Sequence, residues 1–154
     1  LETPVHEVVR KVAELNEQVK TLRKNVKKFY NTLVKFRAAE IRSVGITVGK
    51  TLVYIDEEEF EDDDYLISLA AEVVKVDKPA VAIIYSGSPT SKIVCVANEE
   101  AVKQGRNAGE LVAKVCGAAG GKGGGTTSLG RGAAPRDGVN MALSELIKII
   151  EPQT

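Results

Sequence analysis

The residues best suited to chemistry lie in one stretch, Gly117 to Gly138, which reads GAAGGKGGGTTSLGRGAAPRDG and holds nine of the chain's 14 glycines. Glycine lets a ligand approach the backbone closely, and backbone N–H groups exposed by glycine-rich turns form concave anion sites. Lys122, Arg131 and Arg136 add positive charges of the kind that pair with phosphate. The stretch therefore predicts a phosphate-binding loop, with a flexible linker as the alternative for such a composition.

The spacing of the glycines excludes the familiar nucleotide-binding motifs. A Walker loop needs four residues between its first glycine and Gly-Lys, followed by Ser or Thr. Here three residues separate Gly117 from Gly121-Lys122, and Gly123 follows the lysine. No G-x-G-x-x-G register fits either, so phosphate binding is favoured without nucleotide hydrolysis.

The formal net charge of zero conceals two segments of opposite charge. Lys20 to Arg42 contains eight basic residues and one acid, whereas Asp56 to Asp64 contains eight acids in nine positions. This asymmetry predicts a polyanionic partner on one face only. The acids that precede the apolar pattern from Leu66 suit a helix N-terminus, so a solvated cap is favoured over a metal site there.

The elements that must position these charges begin with a long helix. Residues 5 to 36 carry apolar positions at alternating spacings of three and four, a five-heptad seam typical of a coiled coil or a long packed helix. Valine at a with leucine at d favours two strands, and the e and g charges are too few to distinguish parallel from antiparallel pairing. The predicted dimer interface consists of Val5, Val8, Val12, Leu15, Val19, Leu22, Val26, Phe29, Leu33 and Phe36.

A row of lysines lies at the b, c and f positions of this helix, away from the seam. The residues are Lys20, Lys24, Lys27 and Lys28. They predict a second polyanion-binding surface, with simple solvation of the helix as the alternative. A shift in composition near Ser43 then divides the chain into a helical dimerisation segment, 1–42, and a globular domain, 43–154.

The globular part predicts an α/β fold with a mixed β-sheet flanked by helices. β-branched and apolar runs bounded by turn residues indicate strands, and apolar residues at helical spacing indicate helices. The expected order after the first helix is two strands, a helix, two hairpin-paired strands, a helix, the glycine-rich loop 117–132 and a last helix. These elements fall at 44–48, 51–55, 66–74, 80–86, 92–97, 99–116 with Asn98 as its cap, and 137–150.

Several classes of protein are disfavoured by what the composition lacks. The sequence shows no apolar run of transmembrane length and no signal peptide, and two cysteines without a secretory signal indicate a reducing, cytoplasmic setting. One histidine and no Ser/His/Asp set predict neither a catalytic site nor a metal site in this chain. The chain begins at Leu1 without an initiator methionine, so we expect a fragment of a longer protein.

The glycine-rich stretch carries a family resemblance. VCGAAGGKGGGTTSLGRG, Val115 to Gly132, followed by an amphipathic last helix, resembles the C-terminal domain of alanyl-tRNA synthetases, a domain type also appended to DHH-family phosphoesterases. The resemblance covers about residues 44 to 151 and departs at Gly130, where the family commonly has alanine. The heptad helix resembles the part that joins this domain to the synthetase body, which favours the synthetase over the phosphoesterase.

The resemblance implies a tRNA-binding and dimerising appendage. It would contact the outer corner of an alanine-accepting tRNA and help to present it to aminoacylation and editing sites elsewhere in a homodimeric enzyme that uses ATP, Mg and Zn. The expected RNA-binding residues are Gly121, Lys122, Gly123, Gly124, Gly125, Arg131, Gly132 and Arg136, with the four lysines of the first helix.

Two other functions remain open from the sequence. One is a single-stranded nucleic-acid module, in which Tyr54, Tyr65 and Tyr85 stack on bases. The other is a dimerisation module in which the glycine-rich loop only packs.

Overall fold

The computed structural model describes residues 4–150. The chain divides into two compact units, with the boundary between Leu33 and Val34. The first unit is the part of helix α1 (Val5–Ser43) that ends at Leu33. The second unit contains the last turns of α1 and all the other described elements.

The second unit is built on a six-stranded sheet with the order β1-β2-β3-β4-β6-β5. Among the described strands one neighbouring pair, β2–β3, is parallel and the others are antiparallel. The predicted α/β fold with a mixed sheet flanked by helices is therefore confirmed. The elements are β1 (Ile46–Val48), β2 (Thr51–Glu58), α2 (Asp63–Val73), β3 (Ala80–Ser86), β4 (Thr90–Ala97), α3 (Glu99–Lys103), α4 (Ala108–Ala118), β5 (Lys122–Gly125), β6 (Leu129–Pro135) and α5 (Arg136–Ile150).

Helices cover both faces of the sheet, and the central strand β3 is buried along its whole length. On one face Val81 and Ile83 share a core with α4 and α5, to which Val112 and Leu143 belong. The alternate residues of β3 point to the opposite face, where α2 contacts β3 and β4. A strand buried on both faces explains the continuous apolar run AVAIIYS.

Asn98 caps α3 as the sequence predicts and also joins three elements. Its Oδ1 accepts hydrogen bonds from the amides of Ala101 and Ala80, both at 3.0 Å. Its Nδ2 donates to the carbonyl oxygens of Val74 and Lys78. One amide side chain thus fixes the end of α2, the start of β3 and the start of α3.

Two predicted elements differ in the structure. The helix expected over 99–116 is broken into α3 and α4, because Gly105 has a φ of +86° and Asn107 starts a new helix by accepting from the amide of Glu110. The segment expected to be a glycine-rich loop contains the strands β5 and β6. Glycine is a poor strand former on its own, so pairing with β4 and packing by α4 decide this conformation.

The end of α1 is bound to the sheet through Arg37. Its Nη2 donates to Asp56 Oδ2 and to Glu58 Oε1, each at 2.6 Å, and its Nη1 donates to Glu40. Tyr65 Oη donates to Glu58 Oε2 at 2.9 Å. Glu58 is only 7% exposed, so its charge depends on these partners.

The cluster carries more carboxylates than cations, and Asp56 shows the effect. Burial and the adjacent Glu58 together raise the pKa of Asp56 to about 6, against the opposing effect of Arg37. The folded state therefore holds a proton that the unfolded chain, with an aspartate pKa of about 3.9, has released. Stability falls as the pH rises through the window from about 4 to about 6.

Replacing Asp56 with Asn should remove this pH dependence. The amide mimics the protonated carboxyl group, so we expect Asp56→Asn to raise the free energy of unfolding at pH 7 by about 1–2 kcal/mol, discounted for partial exposure, and to change it little near pH 4. Urea unfolding at both pH values measures the difference. Glu59→Gln, at an exposed acid of the same segment, is the control. An unchanged pH profile in Asp56→Asn contradicts the assignment.

Candidate nucleic-acid interface

The glycine-rich segment forms an antiparallel hairpin of β5 and β6 at one edge of the sheet. Gly124 lies opposite Arg131 and Gly123 lies opposite Gly132. Because side chains alternate along a strand, Lys122, Gly124 and Arg131 share one face, and Gly123 and Gly132 share the other. The register therefore sorts the predicted binding residues into two groups.

Gly123, Gly130 and Gly132 lie on the face of the hairpin that packs against α4 inside the protein. A Cβ added at Gly123 would lie 2.6 Å from Val112 Cγ1 and 3.0 Å from Cys116 Sγ. A Cβ at Gly132 would lie 2.5 Å from the same sulfur, and one at Gly130 would meet the backbone of Ala108. Helix α4 thus packs directly on the backbone of the hairpin, which only glycine allows at these positions.

The opposite face of the hairpin is an open concavity, lined by Lys122, Gly123, Gly124, Gly125, Thr126, Leu129 and Arg131. A Cβ added at Gly124 would meet no heavy atom of the described residues within 4 Å. Gly124 is not among the residues of positive φ, whereas Gly125 has a φ of +151°. The space in front of Gly124 is therefore free for a ligand, and both flanking cations, Lys122 and Arg131, are exposed.

A third cation lies on the same face and is neutralised within the protein. Lys92 of β4 pairs with Ala133 in register, so it points to the side of Arg131. Its Nζ lies 3.1 Å from Asp63 Oδ1 at the start of α2. The positive charge that this face of the hairpin offers to a ligand is therefore that of Lys122 and Arg131.

The tip of the hairpin is held by the N-terminus of α4. The amides of Ala108 and Gly109 donate to the carbonyl oxygens of Thr127 and Thr126, both at 2.8 Å. The amide of Thr126 in turn donates to the carbonyl oxygen of Leu129 at 2.8 Å. These N-terminal amides are engaged inside the protein, so the groups that face the concavity are side-chain cations and the glycine floor.

Arg136, a predicted RNA-binding residue, is held by other side chains. It forms an ion pair with Glu57, and its guanidinium lies 5.1 Å from the centroid of the Tyr85 ring. The hydrogen bond that Arg136 donates to Glu57 raises the pKa of Arg136 above its ordinary value. Tyr85 Oη donates to Asn140 Oδ1 at 3.0 Å, so Arg136 belongs to a cluster that connects α5 with the sheet.

The predicted residues of α1 are displayed on its surface. Lys24, Lys27 and Lys28 are exposed, and Lys20 makes an exposed ion pair with Glu17 at 3.3 Å. All the predicted seam residues except Leu33 are between 42% and 79% exposed. An apolar stripe of this length on one chain is typical of a protein–protein contact.

Other groups considered from the sequence are buried. Tyr54, Tyr65 and Tyr85 are at most 8% exposed, which leaves their rings no face for stacking on a base. Burial raises the pKa of Cys95 to about 12 and that of Cys116 to about 11, so neither thiol is ionised at neutral pH.

Within residues 4–150 no group of three or more His, Cys, Asp and Glu is placed to hold a metal ion. No helix in this range is long and apolar enough to cross a membrane.

The fold is similar to that of a known class of small α/β domain. The C-Ala domain of Aquifex aeolicus alanyl-tRNA synthetase superimposes with a TM-score of 0.62 at 24% identity, covering 69% of this chain and 96% of that domain. A DHH-domain protein described as a member of the S1p family of ribosomal proteins superimposes with a TM-score of 0.57 at 14% identity, covering 88% of this chain and 33% of that one. None of the protein-family models matches the chain.

Sequence similarity points to the same enzymes. The chain is 29% identical to the alanine–tRNA ligase of Caldicellulosiruptor saccharolyticus over 147 residues, covering 94% of this chain. It is 28% identical to that of Methanococcoides burtonii over 138 residues, covering 89% of this chain. The chain spans 17% and 15% of the length of these two relatives. The resemblance to the C-terminal domain of alanyl-tRNA synthetases is confirmed.

The two groups of glycines should respond differently to a methyl group. We expect Gly123→Ala to lower the free energy of unfolding by about 1–3 kcal/mol, because the added Cβ overlaps Val112 and Cys116. Gly124→Ala should be neutral or stabilising by up to about 1 kcal/mol, because its backbone conformation suits alanine and the space is open. Chemical unfolding of the two variants beside the parent measures this. Equal destabilisation of both would contradict the packing described here.

Proposed function

We propose that the chain is the tRNA-binding and dimerising part of an alanyl-tRNA synthetase. The observation that carries the proposal is the concavity of the β5–β6 hairpin, with an open glycine floor between two exposed cations. The similarity to alanine–tRNA ligases over most of the chain supports this reading. The partner would be an alanine-accepting tRNA, and the ATP, Mg and Zn of the complete enzyme would be bound elsewhere in it.

The concavity suits the backbone of a folded RNA. Lys122 and Arg131 stand on either side of Gly124 and can each neutralise a phosphate. The missing side chain at Gly124 would let the sugar-phosphate backbone approach the strand. Such contacts recognise shape and phosphates rather than base sequence, which fits the outer corner of a tRNA.

The first unit would contribute in two ways. The exposed seam of α1 would pair with a second copy of the chain, because about ten apolar side chains in heptad register gain most when another helix buries them. The lysines at Lys20, Lys24, Lys27 and Lys28 lie away from the seam and would remain available to RNA in the dimer. The buried tyrosines argue against the single-stranded nucleic-acid module.

The concavity is tested by two substitutions with different signatures. Gly124→Val should lower the affinity for tRNA at every salt concentration, because its side chain fills the approach to the strand. Lys122→Ala should weaken binding modestly and reduce the slope of log K against log salt by about one. Lys114→Ala, at an exposed lysine of α4 on the other sheet face, is the control. Binding is measured by fluorescence titration from low to high salt.

Three outcomes would contradict this role. If Gly124→Val melts well below the parent, the glycine serves internal packing. If both variants bind like the parent across the titration, the concavity does not contact RNA and the lysines of α1 become the better candidates. If single-stranded DNA of equal length binds as tightly as tRNA, the synthetase assignment fails.

The seam is tested by shortening two of its leucines. Each leucine buried between helices contributes roughly 1.5–3 kcal/mol relative to an exposed one. Combining Leu15→Ala with Leu22→Ala should therefore shift the chain from dimer to monomer in multi-angle light scattering, whereas Lys24→Ala should leave the dimer intact. A dimer that survives both leucine changes places the interface on the globular unit.

A further inference from the structure

We propose that two copies of α1 pair antiparallel, with the two-fold axis between Lys20 and Thr21. This inference rests on the proposed dimer and adds its direction and register. In such a pair residue i of one copy faces residue 41 − i of the other. The partner is thus a second copy of this chain, and the pairing is isologous.

The sizes of the seam residues complement each other in this register. Every layer joins an a position of one helix to a d position of the other, as an antiparallel pair requires. Each layer then contains one valine and one larger side chain. The layers are Val5 with Phe36, Val8 with Leu33, Val12 with Phe29, Val26 with Leu15, and Val19 with Leu22. Alternation of small and large residues across facing positions gives even packing along the seam.

A parallel pair would place each residue against itself. The layers would then run from Val5 and Val8, which are small, to Phe29 and Phe36, which are large. The separation of the helices would have to be wider in the second half of the seam, which holds both phenylalanines, than in the first half, where four of the five residues are valine. Interaxial distances follow the side chains at the contact, so a uniform seam fits two regular helices and a tapered one does not.

The e and g charges do not distinguish the two directions, but the charges summed over each half of the helix favour the antiparallel one. Residues 20 to 36 carry six basic residues and no acid, whereas residues 5 to 19 carry three acids, Glu7, Glu14 and Glu17, and two basic residues. Parallel pairing brings the two basic halves together along their whole length. Antiparallel pairing sets each basic half beside the half that holds the acids, which lowers the repulsion between like charges.

The proposed register determines which residues of the two copies lie close together, so it can be tested with disulfides between introduced cysteines. Val12 faces Phe29 of the other copy, whereas the two copies of Val12 are 17 positions apart along the axis. At 1.5 Å per residue that separation is about 26 Å, far beyond the roughly 4.4–6.8 Å between Cα atoms that a disulfide spans. In a parallel pair the two copies of Val12 would adjoin.

The experiment uses Val12→Cys and Phe29→Cys in the full chain, one of them carrying a mass tag. Each variant is oxidised alone, and an equimolar mixture is oxidised after dilution and subunit exchange. The parent chain is the control, since its own thiols at Cys95 and Cys116 are buried. We expect disulfide-linked dimer in the mixture, with one chain of each kind, at roughly ten times or more the yield of either variant alone.

Each other result overturns the proposal in a recognisable way. Efficient linkage of each variant to itself shows a parallel pair and leaves the dimer standing. A dimer in sedimentation velocity that forms no disulfide in any sample has a different register or interface. A chain that sediments as a monomer at all concentrations removes the dimer itself and, with it, that half of the proposed function. RNA binding measured on the same samples separates this failure from failure of the hairpin.

Discussion

Close contact between α4 and the backbone of the hairpin is the constraint on which the candidate site depends. β5 is an edge strand of the sheet. It pairs with β6 on one side, and α4 packs against one of its faces. The absence of side chains at Gly123 and Gly132 lets Val112 and Cys116 touch the strands directly. With one face committed to the helix, alternation leaves Lys122 and Arg131 on the other. The glycines therefore determine which way the cations point.

A second constraint connects the basic and the acidic segments. Arg37 comes from the basic helix, and Asp56 and Glu58 come from the acidic run, yet the three meet in a partly buried ion cluster. The basic and the acidic segments thus contact each other directly through these ion pairs. Because Glu58 is withdrawn from water, removal of Arg37 would leave a buried charge without its cationic partner. The docking of the last turns of α1 on β2 is consequently specific.

Local sequence patterns predicted much of the fold. They did not predict the parts where segments far apart in the chain pack together. Heptad spacing predicted α1, a continuous apolar run predicted β3, and Asn98 was recognised as a cap. The strands of the glycine hairpin were not predicted, because glycine disfavours strands and the elements that impose the conformation, α4 and β4, lie elsewhere in the chain. The burial of Glu58 was missed for a similar reason, since its partner Arg37 is 21 positions away.

The candidate site was predicted in composition but not in arrangement. Lys122, Arg131 and the glycines were identified from type and spacing, and the resemblance supplied their expected ligand. Their division into a packing face and an open face follows from the β5–β6 register, which no local signal encodes. The engagement of Arg136 with Glu57 and Tyr85 likewise depends on β2 and β3 lying beside the start of α5.

The hydrogen bonds from Ala108 and Gly109 to the hairpin tip affect the conformational entropy that ligand binding would cost. They join the tip to a regular helix, so Thr126 and Thr127 already occupy a defined backbone conformation. Ordering a loose residue costs about 1–2 kcal/mol in conformational entropy. A tip that is ordered in advance spares the complex that penalty, and association would resemble the meeting of two rigid surfaces rather than coupled folding.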